Sequence, residues 1–143
     1  SRFIKLASDL ISYMPAYVVK RIEEALLTEG IKLKSARILL IGLTYKRDVK
    51  DLRKSPALDI FEILKKRSAH VLYHDPLIPY LKFAGLNYKS LPLTQANLGK
   101  FDCVVIATDH SKLNYGLILR NARLIFDARN IYKGKAAGKI VRL

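Results

Sequence analysis

The chain has 143 residues, and Lys and Arg outnumber Asp and Glu by 26 to 12, which gives a net charge of +14 at pH 7. Half of the residues are hydrophobic, so a chain of this length is expected to fold rather than stay disordered. The single Cys excludes an internal disulfide and favours a reducing, cytoplasmic compartment, and we expect no membrane span. The positive charge predicts an anionic partner: nucleic acid, a phosphorylated small molecule or an acidic protein surface.

Residues 1–36 predict a helix that leads into a globular domain at 37–143. The chain opens on Ser1 in a helical pattern, so we expect a fragment of a longer protein. Pro15 predicts a bend or restart of the helix, and Gly30 predicts its C-terminal cap. Between these two positions, apolar residues recur at helical spacing: Val18, Val19, Ile22, Ala25, Leu26 and Leu27.

Beyond residue 36, short apolar runs alternate with helical patterns. Strands are predicted at 37–42, 70–74, 103–108, 123–127 and, at one edge, 139–143. One helix is predicted to start at Ser55-Pro56, with Ser as N-cap and Pro at the first helical position, and another spans 114–121. Residues 80–100 predict a short helix, a short strand near Lys89-Ser90 and a helical turn near 93–98. The alternation predicts an α/β fold: a Rossmann-like, doubly wound parallel sheet preceded by a long helix.

Cationic and aromatic residues follow two of the predicted strands. Tyr45 and Lys46 come after the first strand, and Arg129 comes after the strand at 123–127. The ligand crevice of a doubly wound sheet lies beyond the carboxyl ends of its strands. There, Lys46 and Arg129 can hold a diphosphate and Tyr45 can pack on a base. The residues alone equally allow two ordinary surface charges and a half-buried loop aromatic.

No catalytic or metal site is predicted within the chain. Cys103 begins an apolar strand and is interpreted as an inert core thiol. The three His residues lack the spacing of metal ligands. The turn after the first strand contains only Gly42, whereas a dinucleotide fingerprint needs several glycines. We therefore expect a Rossmann-like sheet without an NAD site of its own.

The remaining polar loop residues have structural interpretations. Asp48 and Asp51 are predicted to pair with Arg53 and brace their loop. Asp75, at the end of the second strand, is predicted to form a turn. Ser111 is predicted to start a helix. Lys65-Lys66-Arg67 is interpreted as a solvated helix terminus.

Five short motifs in this order resemble the carboxyl-terminal, UDP-binding domain of the UDP-glucose/GDP-mannose dehydrogenase family. They are Gly42-Leu-Thr-Tyr-Lys46, Asp51-Leu-Arg53-Lys-Ser55-Pro56, Asp75-Pro76 with Pro79, Thr108-Asp109-His110, and Asp127-Ala-Arg129-Asn130. The helix with Met14-Pro15-Ala-Tyr17-Val18-Val19 resembles the end of the family's central, dimer-forming region. The resemblance is strongest to the branch that acts on UDP-N-acetylglucosamine or UDP-N-acetylmannosamine.

The resemblance implies an enzyme that oxidises the sugar C6 alcohol to a carboxylate and reduces two NAD. It implies that Tyr45, Lys46 and Arg129 contact the UDP-sugar, and that Arg53 reaches NAD held by the family's amino-terminal domain. The family's nucleophilic Cys and its glycine-rich NAD turn are not matched here, so the fragment alone is expected to be inactive. A homodimer is also implied.

Two other classes of function stay open on the residues alone. The net charge allows a basic nucleic-acid-binding module, although the charge is dispersed and no recognition helix is evident. The apolar stripe of the first helix allows a pure oligomerisation module. Titration with UDP or with an oligonucleotide separates these hypotheses.

Overall fold

The computed structural model describes residues 2–67, 69–135 and 137–143, with side chains from Met14 onward. Its strands are β1 (Arg37–Ile41), β2 (His70–His74), β3 (Tyr80–Phe83), β4 (Leu86–Lys89), β5 (Cys103–Ile106), β6 (Ile125–Asp127) and β7 (Ile140–Arg142). Five of them form one sheet in the order β2-β1-β5-β6-β7, and every neighbouring pair is parallel. The predicted parallel sheet is therefore confirmed, with β7 at one edge.

Helices cover both faces of this sheet, as the doubly wound arrangement requires. The helices are α1 (Arg2–Thr28), α2 (Pro56–Lys66), α3 (Gln95–Leu98) and α4 (Tyr115–Asn121). Successive residues of a strand point to opposite faces. Ile38 and Leu40 of β1 accordingly join the core beneath α1 and α2. Leu39 and Ile41 join the core beneath α3 and α4.

The carboxyl-terminal half of α1 shares its core with the sheet. Five of the six residues in its predicted apolar stripe are buried there, but Leu27 is 55% exposed and does not belong to the stripe. Pro15 lies inside one helix and does not restart it. Gly30 follows the helix at φ +75°, as expected of a C-terminal cap. The division of the chain at residue 36 stays a prediction.

The ends of α2 follow their sequence signals. The Ser55 side chain caps the helix by accepting a hydrogen bond from the Leu58 N–H, and Pro56 is the first helical residue. Lys65 lies in the last turn, where a cation suits the helix dipole. Arg67 ends the helix and pairs with Glu23 of α1 at 2.7 Å. The predicted cap and the predicted basic terminus are both confirmed.

The segment from residue 80 differs most from its prediction. Instead of a short helix, β3 and β4 form an antiparallel hairpin. The strand expected near Lys89-Ser90 is β4, which ends at Lys89. The helical turn is confirmed as α3, capped by Thr94.

No helix in the described part of the chain is long and apolar enough to cross a membrane.

The sheet order places a switch point between β1 and β5. The chain moves outward from β1 to β2 on one side, and from β5 through β6 to β7 on the other. Loops that leave such neighbouring strands diverge and open a crevice, which is where ligands bind in this class of fold. The loops after β1, β5 and β6 therefore surround the candidate site.

Candidate functional site

The loop after β1 is fixed to its neighbours by buried hydrogen bonds. The Leu43 N–H donates to Asp75 Oδ2 at 2.7 Å, which ties the loop to the end of β2. The Ser55 hydroxyl donates to the Leu43 carbonyl at 2.6 Å. The Thr108 hydroxyl donates to the Thr44 carbonyl at 2.8 Å and ties the loop to the end of β5. Tyr45 thus extends from a rigid base.

His110 joins the same loops from beneath and is fully buried. Its Nδ1 accepts a hydrogen bond from the Asp48 N–H at 2.9 Å. The ring proton of the neutral imidazole is therefore on Nε2, by the hydrogen-bond network. Nε2 lies 2.9 Å from Asp75 Oδ2 and 3.1 Å from the Thr44 hydroxyl oxygen. The predicted turn role of Asp75 is confirmed, because the Leu77 N–H donates to Asp75 Oδ1 at 2.8 Å. The sequence did not predict the buried contact between Asp75 and His110.

The three charged residues of the loop do not all pair as predicted. Asp51 pairs with Arg53 at 3.1 Å, as expected. Asp48 instead accepts hydrogen bonds from the side chain and the backbone N–H of Ser111, which lower the pKa of Asp48. Ser111 does not start a helix, because α4 begins after Asn114, its N-cap. Ser111 joins the loops after β1 and β5.

Asp109 brings two arginines of different loops to one carboxylate. Arg47, next to Lys46, donates from Nε and Nη2 to Asp109 Oδ2. Arg129 Nε lies 3.3 Å from Asp109 Oδ1. Burial alone would raise the pKa of Asp109, but the hydrogen bond from Arg47 and the charges of both arginines hold it below its ordinary value. The carboxylate is therefore ionised at neutral pH.

The loop that carries Arg129 is shaped by Asp127 at the end of β6. Asp127 is buried, and its Oδ1 accepts from the backbone N–H groups of Arg129 and Ile131 at 3.3 and 3.0 Å. Its Oδ2 accepts from the Tyr132 N–H at 2.9 Å. Asn130 adopts φ +60°, a left-handed conformation that Asn tolerates well. These contacts fix the direction in which Arg129 leaves the sheet.

The predicted site residues line two different cavities at this end of the sheet. Tyr45 and Arg53 line a shallow pocket of about 360 Å³ together with Asp51 and Lys54. Arg129 lines a smaller, mainly apolar cavity of about 210 Å³. The other walls of that cavity come from α1, the start of α2, the ends of β5 and β6, and the chain terminus: Met14, Pro15, Val18, Pro56, Ala57, Ile60, Ala107, Ala128 and Leu143.

Lys46 is exposed and lines neither of these cavities. Its carbonyl accepts from the Thr44 hydroxyl at 2.9 Å. Its ammonium group forms no ion pair with any residue in the described parts of the chain. The structure brings Tyr45 together with Arg53, and Arg129 together with Arg47. Neither Tyr45 nor Lys46 lines the cavity beside Arg129.

The turn after β1 contains one glycine, which lies against the chain that leaves β5. A Cβ on Gly42 would lie 2.5 Å from the carbonyl oxygen of Thr108, so this glycine makes room for the close approach of the β5 loop. The start of α2 is capped by its own Ser55 hydroxyl. The absence of an NAD site from this turn stays a prediction.

The described residues hold no group of His, Cys, Asp and Glu side chains suited to a metal ion. Cys103 is fully buried in β5, and burial raises the pKa of its thiol to about 12. A nucleophilic Cys needs solvent access and a lowered pKa. The interpretation of Cys103 as an inert core residue is confirmed.

These features define a class: an α/β domain whose cationic crevice at the switch point suits an anionic ligand. The chain belongs to the UDP-glucose/GDP-mannose dehydrogenase family, because the model of that family's UDP binding domain matches residues 39–134. The matched residues include all three loops of the crevice.

Individual relatives agree with this assignment. The chain is 31% identical over 157 aligned residues to a UDP-N-acetyl-D-mannosamine dehydrogenase of Methanococcus maripaludis, covering 100% of this chain and 34% of the relative. It is 33% identical over 99 residues to a UDP-N-acetyl-D-glucosamine 6-dehydrogenase of Pseudomonas aeruginosa, covering 69% of this chain and 23% of the relative. The chain thus spans about a third or less of the length of these curated relatives.

A solved structure with a similar fold is that of a UDP-D-ManNAc dehydrogenase from Pyrococcus horikoshii. It superposes with a TM-score of 0.73 and 31% sequence identity, over 92% of this chain and 31% of the other. The similarity therefore extends over most of this chain and about a third of the other.

Proposed function

We propose that the crevice binds the UDP moiety of a UDP-sugar for an NAD-dependent UDP-sugar 6-dehydrogenase of which this chain is one part. The observation that carries the proposal is the match of the UDP binding domain to residues 39–134, which contain the three crevice loops. The complete enzyme would oxidise the sugar C6 alcohol to a carboxylate and reduce two NAD. The cationic side chains at the switch point support the binding of a diphosphate.

Within the crevice, Lys46 and Arg129 would hold the diphosphate and Tyr45 would pack on the uracil. Two observations support these roles. Tyr45 is 53% exposed, so its ring is accessible to a ligand. The loop residues just before it are held by buried hydrogen bonds, which fix the position from which the ring extends. The Lys46 ammonium has no partner in the described residues that a ligand would need to displace.

The substrate class we propose is a UDP-N-acetyl amino sugar. The support is the naming of the relatives, which act on UDP-N-acetyl-D-mannosamine in Methanococcus maripaludis and on UDP-N-acetyl-D-glucosamine in Pseudomonas aeruginosa. NAD would be held mainly by a part of the enzyme outside this chain, with Arg53 reaching towards it. The exposed position of Arg53 is compatible with that contact. The homodimer and the cytoplasmic location stay predictions.

Calorimetric titration of UDP into the chain and its variants tests the site. Lys46→Ala and Arg129→Ala should each weaken UDP binding roughly ten- to hundredfold, because a charge-assisted contact contributes about 1.5–3 kcal/mol. Lys65→Ala is the matched control, since Lys65 lies in the last turn of α2, at the other end of the helix from Ser55 and the crevice. It should lose little, through screened long-range attraction alone.

Equal, small losses in all three variants would mean that general basicity attracts UDP and that the proposed site is wrong. A single-stranded oligonucleotide is titrated in parallel. Tight binding of the oligonucleotide with no response to UDP would favour the nucleic-acid-binding alternative. If the isolated chain binds UDP too weakly to measure, the same three substitutions are compared in the full-length protein.

A further inference from the structure

We propose that Arg47 is an additional anion-binding residue of the crevice, and that Asp109 is the positioning residue that holds Arg47 and Arg129 side by side. This inference rests on the proposed function, because the anion is the diphosphate of the UDP-sugar. It assigns a binding role to Arg47, which none of the sequence motifs singles out.

The geometry begins with a buried carboxylate. Asp109 is only 5% exposed, although it is the middle residue of a polar loop. Removing a carboxylate from water is unfavourable unless partners compensate it. Here the compensation comes from Arg47, which is 62 residues away in sequence, and from Arg129 on a third loop. The arrangement draws two positive charges together at the carboxyl ends of β5 and β6.

The two arginines keep donors available for a ligand. A guanidinium has five N–H donors in a planar fork. Arg47 uses Nε and Nη2 on one Asp109 oxygen, and its side chain is 61% exposed. Arg129 contacts the other oxygen through Nε only, and its side chain is 46% exposed. Within the described chain, the terminal nitrogens of Arg129 form no hydrogen bond.

The second carboxylate oxygen is the least satisfied part of the cluster. Asp109 Oδ1 is buried and has no aligned hydrogen bond among the described residues, although Arg129 Nε lies 3.3 Å away. A small rotation of the Arg129 guanidinium would complete that bond and still leave its terminal nitrogens available to a ligand. Arg129 can therefore change its orientation about this contact, whereas two hydrogen bonds already hold Arg47 on the opposite oxygen.

The direction in which Asp109→Asn changes the affinity for UDP separates a positioning role from simple long-range electrostatics. Asp109→Asn removes a negative charge from the crevice, so long-range attraction alone would tighten the binding of an anion. A positioning role predicts the opposite, because both guanidiniums lose the partner that orients them. Asp102→Asn is the matched control, since it removes the same charge at the far end of β5, where Asp102 accepts a hydrogen bond from the Arg37 N–H.

The test titrates UDP and uridine into the wild-type chain and its variants. Arg47→Ala should weaken UDP binding about tenfold or more and leave uridine binding unchanged. Asp109→Asn should weaken UDP binding at least severalfold, again without a change for uridine. The double variant should lose no more than the worse single variant, because the two residues act as a unit. Arg123→Ala, an exposed arginine before β6, controls for the loss of one positive charge.

Three outcomes would overturn the inference: UDP binding that tightens or stays unchanged in Asp109→Asn, an Arg47→Ala loss no larger than that of Arg123→Ala, or equal losses for UDP and uridine. Arg47 is exposed, so its variant is expected to fold even if Asp109→Asn does not. Arg47→Lys then serves as a second variant, which keeps the charge without the fork and should recover only part of the affinity.

A ligand-free measurement separates failure of this inference from failure of the proposed function. The Nε–H resonances of Arg47 and Arg129 should be resolved and slowly exchanging in the wild-type chain, and both should collapse towards the free-arginine position in Asp109→Asn. If the chain and the full-length protein bind no UDP, the proposed function fails. The resonances and a titration with inorganic pyrophosphate then still decide whether Asp109 builds an anion site.

Discussion

Gly42 allows the chain leaving β1 to touch the chain leaving β5. Its φ is +89°, and an added Cβ would lie 2.5–2.8 Å from Cα, Cβ and the carbonyl oxygen of Thr108. Gly42→Ala should therefore combine left-handed strain, about 1–2 kcal/mol, with overpacking of about 1–3 kcal/mol. We expect the free energy of unfolding to fall by roughly 2–5 kcal/mol in urea titrations.

Gly30→Ala is the control for this prediction. Gly30 also has a positive φ, +75°, but nothing lies within 4 Å of its missing Cβ. The control should cost only the conformational part, roughly 1–2 kcal/mol. Similar losses in both variants would show that the backbone approach at Thr108 contributes nothing to stability.

The sequence predicts some residues of the crevice and misses others for a physical reason. Tyr45, Lys46 and Arg129 are recognisable because they directly follow strands, and the carboxyl ends of parallel strands share one edge. Asp109 belongs to the motif Thr108-Asp109-His110, but Arg47 is distinguished only by its contact with Asp109, which joins residues 62 positions apart. Long-range pairing of this kind has no periodicity or spacing that a single sequence displays.

At the scale of elements, the hairpin β3–β4 offers a stability test. Its two-residue turn consists of Ala84 at φ +51° and Gly85 at φ +75°. Two positive φ values are the requirement of the type I′ turn, which favours Asn-Gly. Ala84→Asn should relieve part of the strain at Ala84 and raise the free energy of unfolding by about 0.5–1 kcal/mol.

Ala84→Val tests the same position in the opposite direction. A β-branched residue is strongly disfavoured at positive φ, so this variant should unfold at lower urea concentration than the wild type. Both variants are compared by urea titration monitored by circular dichroism. A stabilising Ala84→Val would mean that the turn has a different conformation from the one described.

The hairpin also shows why its segment was predicted wrongly. Only one residue of β3 is buried and none of β4 is, so neither strand displays the alternation of apolar and polar residues that marks a half-buried strand. The strands of the main sheet are different. β1 and β5 are almost completely buried and read as continuous apolar runs. Helix α2 was equally clear, because Ser55-Pro56 is a strong start signal.

At the scale of the whole molecule, the crevice gathers positive side chains, whereas the only thiol of the sequence lies elsewhere in the fold. The chain carries a net charge of +14. Within the crevice, the fold places two of the positive side chains, Arg47 and Arg129, against the buried Asp109. The single thiol of the sequence, Cys103, is buried within β5 and does not lie in the crevice loops. Burial raises the pKa values of Tyr115 and Tyr132, so both phenols are protonated at neutral pH.

The chain alone should therefore bind substrate without oxidising it. Cys103 is buried in the central sheet, and burial raises the pKa of its thiol to about 12, so the nucleophilic thiolate is disfavoured at pH 8. The turn after β1 carries only Gly42, whereas a dinucleotide fingerprint needs several glycines. With NAD and either UDP-N-acetylglucosamine or UDP-N-acetylmannosamine, we expect no absorbance increase at about 340 nm, whereas the full-length protein should produce NADH. NADH formation by the isolated chain that disappears in Cys103→Ala would place the nucleophile in β5 and contradict this prediction.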